Sequence, residues 1–405
     1  MSLPAPKHDV EPDNLTTMEL GECLPMTAEV IDGHLHIGGV DMVNVAEEFG
    51  TALYVYDQAD LENRMETYRN AFASRYPNSD VIYASKAFLN KAVCRLVNAH
   101  ASASMCRAAA SWRWRKLSIP DGARVRAWQQ QDSPRAARSH CGRRRAHRVD
   151  SRIEARRVSE IAGELGKTQD IYMRITPGVE ADTHEYIRTG CEDSKFGFTM
   201  REDFAFNCVA DILELPNVNL VGFHMHIGSQ IFALHSFDEA IKVIVEFAAR
   251  VKGHYGIEVG EIDVGGGLGI AYTTEENPSS IDEFAEVVTT AMKKYCAEFS
   301  FAEPRLLCEP GRSMVAVPGV TLYTVGILKT LPGIRKYVAI DGGMSDNIRT
   351  ALYHADYEPV VANKADQPRT EIVTICGKHC ESGDAWSSTC RCSTPTWATS
   401  SPSPA

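Results

Sequence analysis

The feature that most restricts the fold of this chain is a repeated alternation of short apolar runs with amphipathic segments of helical period. Apolar runs with the length of buried strands occur at residues 81–84, 170–176, 220–226, 261–264 and 305–309. Helical spacing of apolar residues occurs at 60–73, 90–99, 200–213, 236–251 and 280–296. Repeated strand–helix units favour a parallel sheet. Because the stretch 101–150 leaves room for two or three further strands, the pattern predicts an α/β fold, an eight-stranded (β/α)8 TIM-type barrel, over an open sheet.

A different pattern begins after Ser313. Short β-rich runs separated by Pro, Gly or Asp occur at residues 315–317, 320–325, 337–340 and 372–375, and the run at 53–56 has the same character. These runs predict a second, antiparallel β domain of Greek-key barrel or sandwich type, built from both ends of the chain. The predicted organisation is an N-terminal extension at 1–30, strands of the β domain at 31–58, the barrel at 59–313 and the rest of the β domain at 314–384.

Composition excludes several classes of protein. The net charge of −11 argues against a nucleic-acid partner. The sequence has no apolar run of about 18 residues, so no membrane span is expected. Residues 1–20 carry acids and prolines instead of the basic start and apolar core of a signal peptide, which predicts a cytoplasmic protein. The twelve cysteines are scattered, and in a chain of this size they are expected to be reduced thiols.

Residues 101–150 break the composition of the chain. This stretch holds eleven arginines and one lysine but only three acids, whereas the rest of the chain has 30 basic and 50 acidic residues. It also lacks strand or helix periodicity. The tail at 385–405 is rich in Ser, Thr and Pro, and the five tryptophans of the chain all lie in these two segments.

Three interpretations of these segments remain open. They could be a disordered basic insert and a disordered tail, or the arginines could form a nucleic-acid-binding arm. We favour the hypothesis that both segments are translated out of frame, because a GC-rich gene read in the wrong frame yields Arg, Ala, Ser, Pro and Trp. One choice of codons for residues 102–115 reads, one frame over, as Gly-Leu-Asp-Val-Ser-Ser-Gly-Gly-Glu-Leu-Ala, which has the character of a strand, a turn and a helix start.

The carboxyl ends of the predicted strands carry the candidate site, since barrels place catalytic residues there. The first strand ends in Tyr83-Ala-Ser-Lys86. Lys86 could be a surface lysine with a buried stem, or a Schiff-base lysine. A later strand end holds His224 and His226, which could serve the core, bind a metal or stack on an aromatic cofactor; no third metal ligand at suitable spacing is evident, and no metal is predicted.

Two further strand ends suit the binding of an anionic, heterocyclic molecule. Three consecutive glycines, Gly265, Gly266 and Gly267, could close main-chain N–H groups on a phosphate, although a bare turn is a common alternative. Glu309 could hold a ring nitrogen protonated, and Arg312 suits a phosphate or a carboxylate, against the alternative of a surface ion pair. Together these strand ends provide a lysine, an imidazole, a phosphate cradle and a carboxylate, which is the set that pyridoxal phosphate requires.

With these residues the chain resembles the diaminopimelate decarboxylase family, which belongs to the alanine-racemase-like and ornithine-decarboxylase-like class of pyridoxal phosphate enzymes. The resemblance covers roughly residues 30–100 and 150–384. The motifs that carry it are Tyr83-Ala-Ser-Lys86, His224-Met-His-Ile-Gly-Ser-Gln230, Asp263-Val-Gly-Gly-Gly-Leu-Gly269, Cys308-Glu-Pro-Gly-Arg312, Asp341-Gly-Gly-Met344, Asn347-Ile-Arg-Thr-Ala-Leu-Tyr353 and Gly377-Lys-His-Cys-Glu-Ser-Gly-Asp384.

The resemblance implies removal of a carboxylate from meso-2,6-diaminopimelate to give L-lysine and carbon dioxide. It implies that Lys86 bears pyridoxal 5'-phosphate and that Cys380 is the proton donor; these are the catalytic residues. The other residues implied to bind the cofactor are His226, Ser229, Gly265, Gly266, Gly267, Glu309, Gly311 and Arg312. Those implied to bind the substrate are Arg312, Arg349, Tyr353 and Glu381. It also implies a homodimer, in which the loop of Cys380 and Glu381 reaches the site of the neighbouring subunit.

Two departures from the family pattern and two alternatives remain. The family's Ser-Gly-Gly-Glu and His-Gly-Asn-Asn-Lys motifs, expected near residues 110–130, and its C-terminal Gly-Ala-Tyr are absent. The first alternative function is a related decarboxylase of ornithine, arginine or carboxynorspermidine, but the guanidinium groups of Arg312 and Arg349 favour a substrate with two carboxylates. The second alternative is an inactive remnant of such an enzyme.

Overall fold

A computed structural model describes residues 15–100, 103–106, 125–127, 146–179, 189–190, 194–385 and 390–393 of the chain. The chain divides into two compact units. The unit called here the barrel unit consists of residues 62–270 and 278–315, and the unit called the β unit consists of residues 1–61, 271–277 and 316–405.

Eight parallel strands of the barrel unit pair in a closed ring, which confirms the predicted TIM-type barrel. In ring order the strands are Ser79–Ala84, Ala103–Cys106, Val125–Ala127, His147–Val149, Gln169–Thr176, Val218–His224, Glu261–Asp263 and Arg305–Cys308. The last strand pairs with the first, Cys308 opposite Val81, and this pairing closes the ring. The two-residue strand Phe198–Thr199 lies beside the end of Gln169–Thr176. Because all eight strands are parallel, their carboxyl ends share one end of the barrel.

The helices of the barrel unit have bounds close to those that the apolar spacing predicts. They are Gln58–Arg75, Lys91–His100, Arg152–Glu164, Phe204–Leu213, His235–Tyr255, Ile281–Glu298 and the short helix Arg312–Val315, with a 3-10 turn at Arg201–Asp203. Ser280 begins the helix Ile281–Glu298 with a capping box that it forms with Glu283. Edge-to-face aromatic pairs, such as Phe237 with Phe284 at 4.9 Å between ring centroids, join the helices to one another.

Three of the ring strands lie in the arginine-rich stretch 101–150, to which the sequence analysis assigned no periodicity. They are Ala103–Cys106, Val125–Ala127 and His147–Val149. Residues 101–102, 107–124 and 128–145 lie outside the described part of the chain. The two or three additional strands expected from the sequence are therefore the three strands of this stretch.

Within its described residues, the β unit contains three small sheets. Its strands are Glu29–Ile31, His34–Ile37, Val40–Asp41, Leu53–Tyr56, Gly319–Leu322, Val325–Leu331, Arg335–Ile340, Glu371–Cys376 and Cys390–Cys392, and its helical segments are Thr17–Cys23, Met42–Phe49, Arg349–Tyr353 and Ala362–Lys364. Most neighbours are antiparallel, as predicted, but Arg335–Ile340 and Glu371–Cys376 are parallel. An apolar cluster that includes Leu35 and Met42 joins the first two sheets.

One predicted strand is wrong. Residues 315–317 were expected to form a strand, but Val315 ends the helix Arg312–Val315 and residues 316–318 form a bend and a turn. Both Val315 and Val317 are buried. Burial explains the apolar pattern, because a run of three residues is too short to distinguish a strand from a buried helix end. In the described part of the chain, no helix combines the length and the apolar character needed to cross a membrane.

Candidate active site

Lys86 lies two residues beyond the barrel strand Ser79–Ala84. All but the first residue of that strand are buried, whereas Lys86 is exposed. The Tyr83 hydroxyl donates a hydrogen bond of 2.5 Å to the carbonyl oxygen of Phe88, which fixes the turn that carries the lysine. The structure thus presents the amine at the carboxyl end of the barrel, where the sequence analysis expected a reactive lysine.

Two histidines lie at the end of the strand Val218–His224, but only His224 belongs to the strand. Its imidazole is buried, and burial lowers its pKa well below the ordinary value. The Nδ1 atom of His226 lies 3.0 Å from the carbonyl oxygen of Gly266. Burial, followed by the nearby charge of Lys86, lowers the pKa of His226 in the same direction. Both imidazoles are therefore neutral near pH 7.

The glycine loop follows the strand that ends at Asp263 and allows a very close approach of main chains. A Cβ atom at Gly266 would lie 2.1 Å from the carbonyl oxygen of Glu309, so no side chain fits there. Gly265 has a φ of +71°, and its N–H group donates 3.0 Å to the Asp263 carboxylate. Gly267 has a φ of +133°, also in the region that favours glycine. This close packing requires glycines in the loop, in addition to any requirement of a bound ligand.

Arg312 and Ser229 meet at the same end of the barrel. The Nε and Nη2 atoms of Arg312 donate 3.2 and 3.1 Å to the Ser229 hydroxyl. A Cβ atom on Gly311, the residue before Arg312, would lie 3.0 Å from the Ala84 side chain, so the main chain passes close to the first barrel strand there. The structure thus brings a hydroxyl group and a guanidinium group together, and both can donate to an anion.

Buried charges fill the interior of the barrel below these groups. Arg148 is fully buried, and its Nη2 atom donates to carboxylate oxygens of both Asp263 and Glu309. The Nε2 atom of His224 lies 3.5 Å from the Glu309 carboxylate. His224, Asp263 and Glu309 offer ligand atoms within 4.8 Å of one another, a spacing that would suit a metal ion. In this chain the Arg148 guanidinium provides a positive charge for the two carboxylates.

A second buried guanidinium belongs to Arg174, on the neighbouring strand. It lies 4.6 Å from the ring centroid of Phe196, and its Nη1 atom is 4.0 Å from the Asp150 carboxylate. Burial lowers the pKa of Arg174 and raises the pKa of Asp150 to about 6. These two residues were not singled out from the sequence.

Arg349 lies in the β unit, within an aromatic enclosure. It begins the helix Arg349–Tyr353, and its guanidinium carbon lies 4.5 Å from the ring centroid of Tyr272 and 6.0 Å from that of Tyr353. Its Nη1 atom donates 2.7 Å to the Tyr357 hydroxyl. Arg349 and Tyr353 were predicted from the sequence, whereas Tyr272 and Tyr357 were missed.

Cys380 and Glu381 occupy an exposed loop of the β unit. The buried carboxylate of Asp384 shapes this loop, because it accepts hydrogen bonds from the main-chain N–H groups of His379 and Met344 at 2.9 and 2.6 Å. Of the free cysteines in the described part of the chain, Cys380 is the exposed one. A cavity of about 550 Å³ adjoins the loop, and Glu381 is among its lining residues.

The predicted residues therefore fall into two sets. The barrel unit brings Lys86, His226, Ser229, Gly265, Gly266, Gly267, Glu309, Gly311 and Arg312 to one end of its strands, and the β unit holds Arg349, Tyr353, Cys380 and Glu381. Arg174 had a usable signal in the sequence, since it interrupts an otherwise apolar strand as a lysine would. Arg148 had none, because it is one of eleven arginines in its stretch.

Comparison with known proteins gives consistent results. The family model described as "Pyridoxal-dependent decarboxylase, pyridoxal binding domain" matches residues 128–316. The chain is 39% identical over 360 residues to a diaminopimelate decarboxylase of Bacillus subtilis, with 87% of this chain and 80% of that protein covered. It is 37% identical over 376 residues to a diaminopimelate decarboxylase of Synechocystis, with 89% and 78% covered.

Solved structures with a similar fold include enzymes that are also named diaminopimelate decarboxylase. A diaminopimelate decarboxylase of M. jannaschii in complex with L-lysine superposes with a TM-score of 0.81 at 31% identity, with 92% of this chain and 86% of that chain covered. The corresponding enzyme of Helicobacter pylori, also with L-lysine, gives 0.74 at 27% identity, with 85% and 83% covered.

Proposed function

The chain belongs to the diaminopimelate decarboxylase family, and we propose that it removes one carboxylate from meso-2,6-diaminopimelate to give L-lysine and carbon dioxide. The observation that carries this proposal is the set of groups at one end of the barrel: a lysine, a neutral imidazole, a glycine loop, a carboxylate and a guanidinium group on successive strand ends. Enzymes of this family are carboxy-lyases that use pyridoxal 5'-phosphate. The similarity to the Bacillus subtilis enzyme, at 39% identity over most of both chains, supports the choice of substrate.

The residues of the barrel end fit pyridoxal phosphate. The Ser229 hydroxyl and the Arg312 guanidinium already meet there, and the glycine loop exposes main chain in positions that no side chain can fill. We propose that these groups hold the phosphate together with Gly311, that the Lys86 amine joins the cofactor aldehyde, and that the neutral ring of His226 stacks on the cofactor ring. Glu309 would bind the ring nitrogen.

The cofactor, when bound, withdraws electrons from the substrate carbon that loses carbon dioxide. The protein must orient the carboxylate that leaves and return a proton to the carbon that has lost that carboxylate. We propose that Arg312, Arg349 and Tyr353 bind substrate carboxylates, because a guanidinium group can form paired hydrogen bonds with a carboxylate. Tyr357 and the Tyr272 ring support the Arg349 guanidinium in the orientation that it would use.

We propose that the Sγ atom of Cys380 donates the proton to the carbon that has lost carbon dioxide. The supporting observations are the exposure of this thiol and the hydrogen bond by which Asp384 holds the main chain of its loop. Glu381 would bind the distal amino group of the substrate. We further propose a homodimer in which this loop serves the neighbouring subunit, which mixing experiments would test: an inactive Lys86→Ala protein and an inactive Cys380→Ala protein should regain activity when their subunits exchange.

The direct test of the substrate is an assay of carbon dioxide release from purified protein supplied with pyridoxal phosphate. We expect meso-diaminopimelate to be the preferred substrate over ornithine, arginine and carboxynorspermidine, and the Lys86→Ala protein to be the blank. Faster release from ornithine or arginine than from meso-diaminopimelate would disprove the substrate assignment and leave the decarboxylase class intact.

A further inference from the structure

Arg148 is a large charged side chain in the interior of the barrel, at 0% exposure. Its Nη2 atom donates to one oxygen of Asp263 and to one oxygen of Glu309. Its guanidinium carbon lies 5.4 Å from the ring centroid of Tyr172. Its Nε and Nη1 atoms have no hydrogen-bond partner among the described residues. A buried guanidinium with two unused donors is a costly arrangement, so its two carboxylate contacts must carry its stabilisation.

Arg148 is in direct contact with two buried carboxylates, Asp263 and Glu309, and Arg174 also acts on Glu309 electrostatically. Burial acts to lower the pKa of Arg148, but the adjacent Glu309 and Asp263 carboxylates raise it, so the guanidinium remains charged. His224, which faces the same carboxylates, is neutral because burial lowers its pKa. Arg148 is therefore a cation in direct contact with both acids, and Glu309 is bound to it in this structure.

The proposed function gives the same carboxylate a second task. Glu309 would accept a hydrogen bond from a protonated ring nitrogen of the cofactor, and a carboxylate favours that proton because the two charges attract. A guanidinium group that already contacts the carboxylate reduces this attraction and repels a second cation. The two partners of Glu309 are thus in competition.

We propose that Arg148 competes with the cofactor for Glu309, so that it keeps the proton off the ring nitrogen and weakens the binding of pyridoxal phosphate. This inference rests on the proposed function, since it assumes that the cofactor ring meets Glu309. Arg148 acts through Glu309 and is a positioning residue. Since Arg148 belongs to the arginine-rich stretch, one residue of that stretch alters the chemistry of the site through Glu309.

The first test measures the dissociation constant of pyridoxal phosphate by equilibrium dialysis. Arg148→Met keeps an unbranched apolar stem and removes the charge, and we expect it to bind the cofactor about tenfold more tightly, the factor that corresponds to about 1.4 kcal/mol. Arg148→Lys, which keeps the positive charge, should resemble the parent. The matched control is Arg152→Met, because Arg152 is partly exposed and pairs with Asp211; its affinity should equal that of the parent.

The second test begins with the unchanged protein, and this measurement applies even if Arg148→Met does not fold. Pyridoxal phosphate labelled with ¹⁵N in the ring is bound to the unchanged protein, and the nitrogen chemical shift reports whether the ring nitrogen carries a proton. We expect no proton in the parent and a proton in Arg148→Met. A protonated nitrogen in the parent, or equal affinity of the parent and Arg148→Met, would overturn the role of Arg148.

The labelling of Lys86 distinguishes a failure of the proposed function from a failure of the inference about Arg148. Borohydride reduction followed by mass spectrometry shows whether the cofactor is attached to Lys86. If Lys86 stays unlabelled in the parent and in every Arg148 variant, both the proposed function and this inference are rejected. If Lys86 is labelled equally well and with the same affinity in all of them, only the inference about Arg148 is rejected.

Discussion

The barrel contains two regions, which both contribute strands to its ring but differ in the pairing of those strands and in their chemistry. The strands of the arginine-rich stretch have four, three and three residues, and Val125–Ala127 and His147–Val149 share a single residue pair, Ala127 opposite His147. In contrast, Gln169–Thr176 has eight residues and shares six pairs with Val218–His224. Main-chain pairing does not depend on particular side chains, so an unusual sequence can occupy ring positions. The motifs of the site need particular side chains, and all of them lie outside the stretch.

The interiors of the two regions differ in the same way. The strand Gln169–Thr176 buries Ile171, Tyr172 and Met173, with Arg174 as its one buried cation. The strand His147–Val149 buries a histidine, an arginine and a valine. We propose that residues 101–150 and 385–405 are translated out of frame, and Arg148 is then an accidental occupant of a position that the barrel would fill with an apolar residue.

The largest expected effect concerns the region outside the arginine-rich stretch. Lys86 lies before the arginine-rich stretch, and the Lys86→Ala protein should lose all covalent cofactor, because no other amine is assigned to hold the aldehyde. The measurement is the visible absorbance band of the protein–cofactor adduct. An unchanged band in a folded Lys86→Ala protein would place the cofactor on another lysine. Lys91→Ala, on the following helix, is the matched control and should keep the band.

The next largest effect concerns Cys380, which lies outside both barrel regions. The Cys380→Ala protein should turn over substrate roughly 10²–10⁴-fold more slowly, the usual contribution of a positioned proton donor. Its affinity for pyridoxal phosphate should stay that of the parent. The control is Cys376→Ala, since Cys376 is a half-buried residue of the strand Glu371–Cys376. Near-normal turnover by Cys380→Ala would show that another group returns the proton.

Replacing the arginine-rich stretch together with the tail would sharpen the comparison between the two barrel regions. A protein whose segments 101–150 and 385–405 are restored to the alternative reading frame should release carbon dioxide from meso-diaminopimelate on the order of 10²-fold faster, since small displacements of catalytic groups have effects of that size. Equal activity and an equal oligomeric state of the two proteins would contradict the frameshift proposal. Resequencing of the gene provides an independent answer.

The smallest effect concerns Asp150, at the boundary of the two regions. Its pKa is raised by burial from 3.8 to about 6, so the native state holds a proton that the unfolded state releases between these values. Stability should therefore fall as pH rises from about 4 to 6, by up to about 3 kcal/mol. Asp150→Asn should unfold at a higher temperature than the parent at pH 7 and at nearly the same temperature near pH 4. A constant difference across this range would contradict the assignment.

Much of the barrel could be predicted because local patterns determine it. Strand residues 53–56 were predicted with the observed bounds, and most barrel strands and helices between residues 169 and 309 lie close to the predicted runs. The predicted run 320–325 instead spans the end of Gly319–Leu322 and the start of Val325–Leu331, a strand that was not predicted. The run 315–317 was too short for its apolar spacing to distinguish a strand from a buried helix end. The contacts of Arg148 with Asp263 and Glu309 could not be predicted, because they join positions more than 100 residues apart through ring closure. Tyr357 was missed because only the fold shows that its hydroxyl meets Arg349.

The β unit is assembled from three separate parts of the chain, and this has a consequence for synthesis on the ribosome. The strand Leu53–Tyr56 pairs with Gly319–Leu322, with Leu53 opposite Leu322. At roughly 5–20 residues per second, the ribosome adds the second strand on the order of ten seconds or more after the first. During that time Val55, which later packs in the apolar cluster with Val320, lacks its partner strand. A nascent chain that stalls within the barrel would therefore expose an unpaired strand near its start, and chaperones that bind extended apolar segments would be expected to recognise it there.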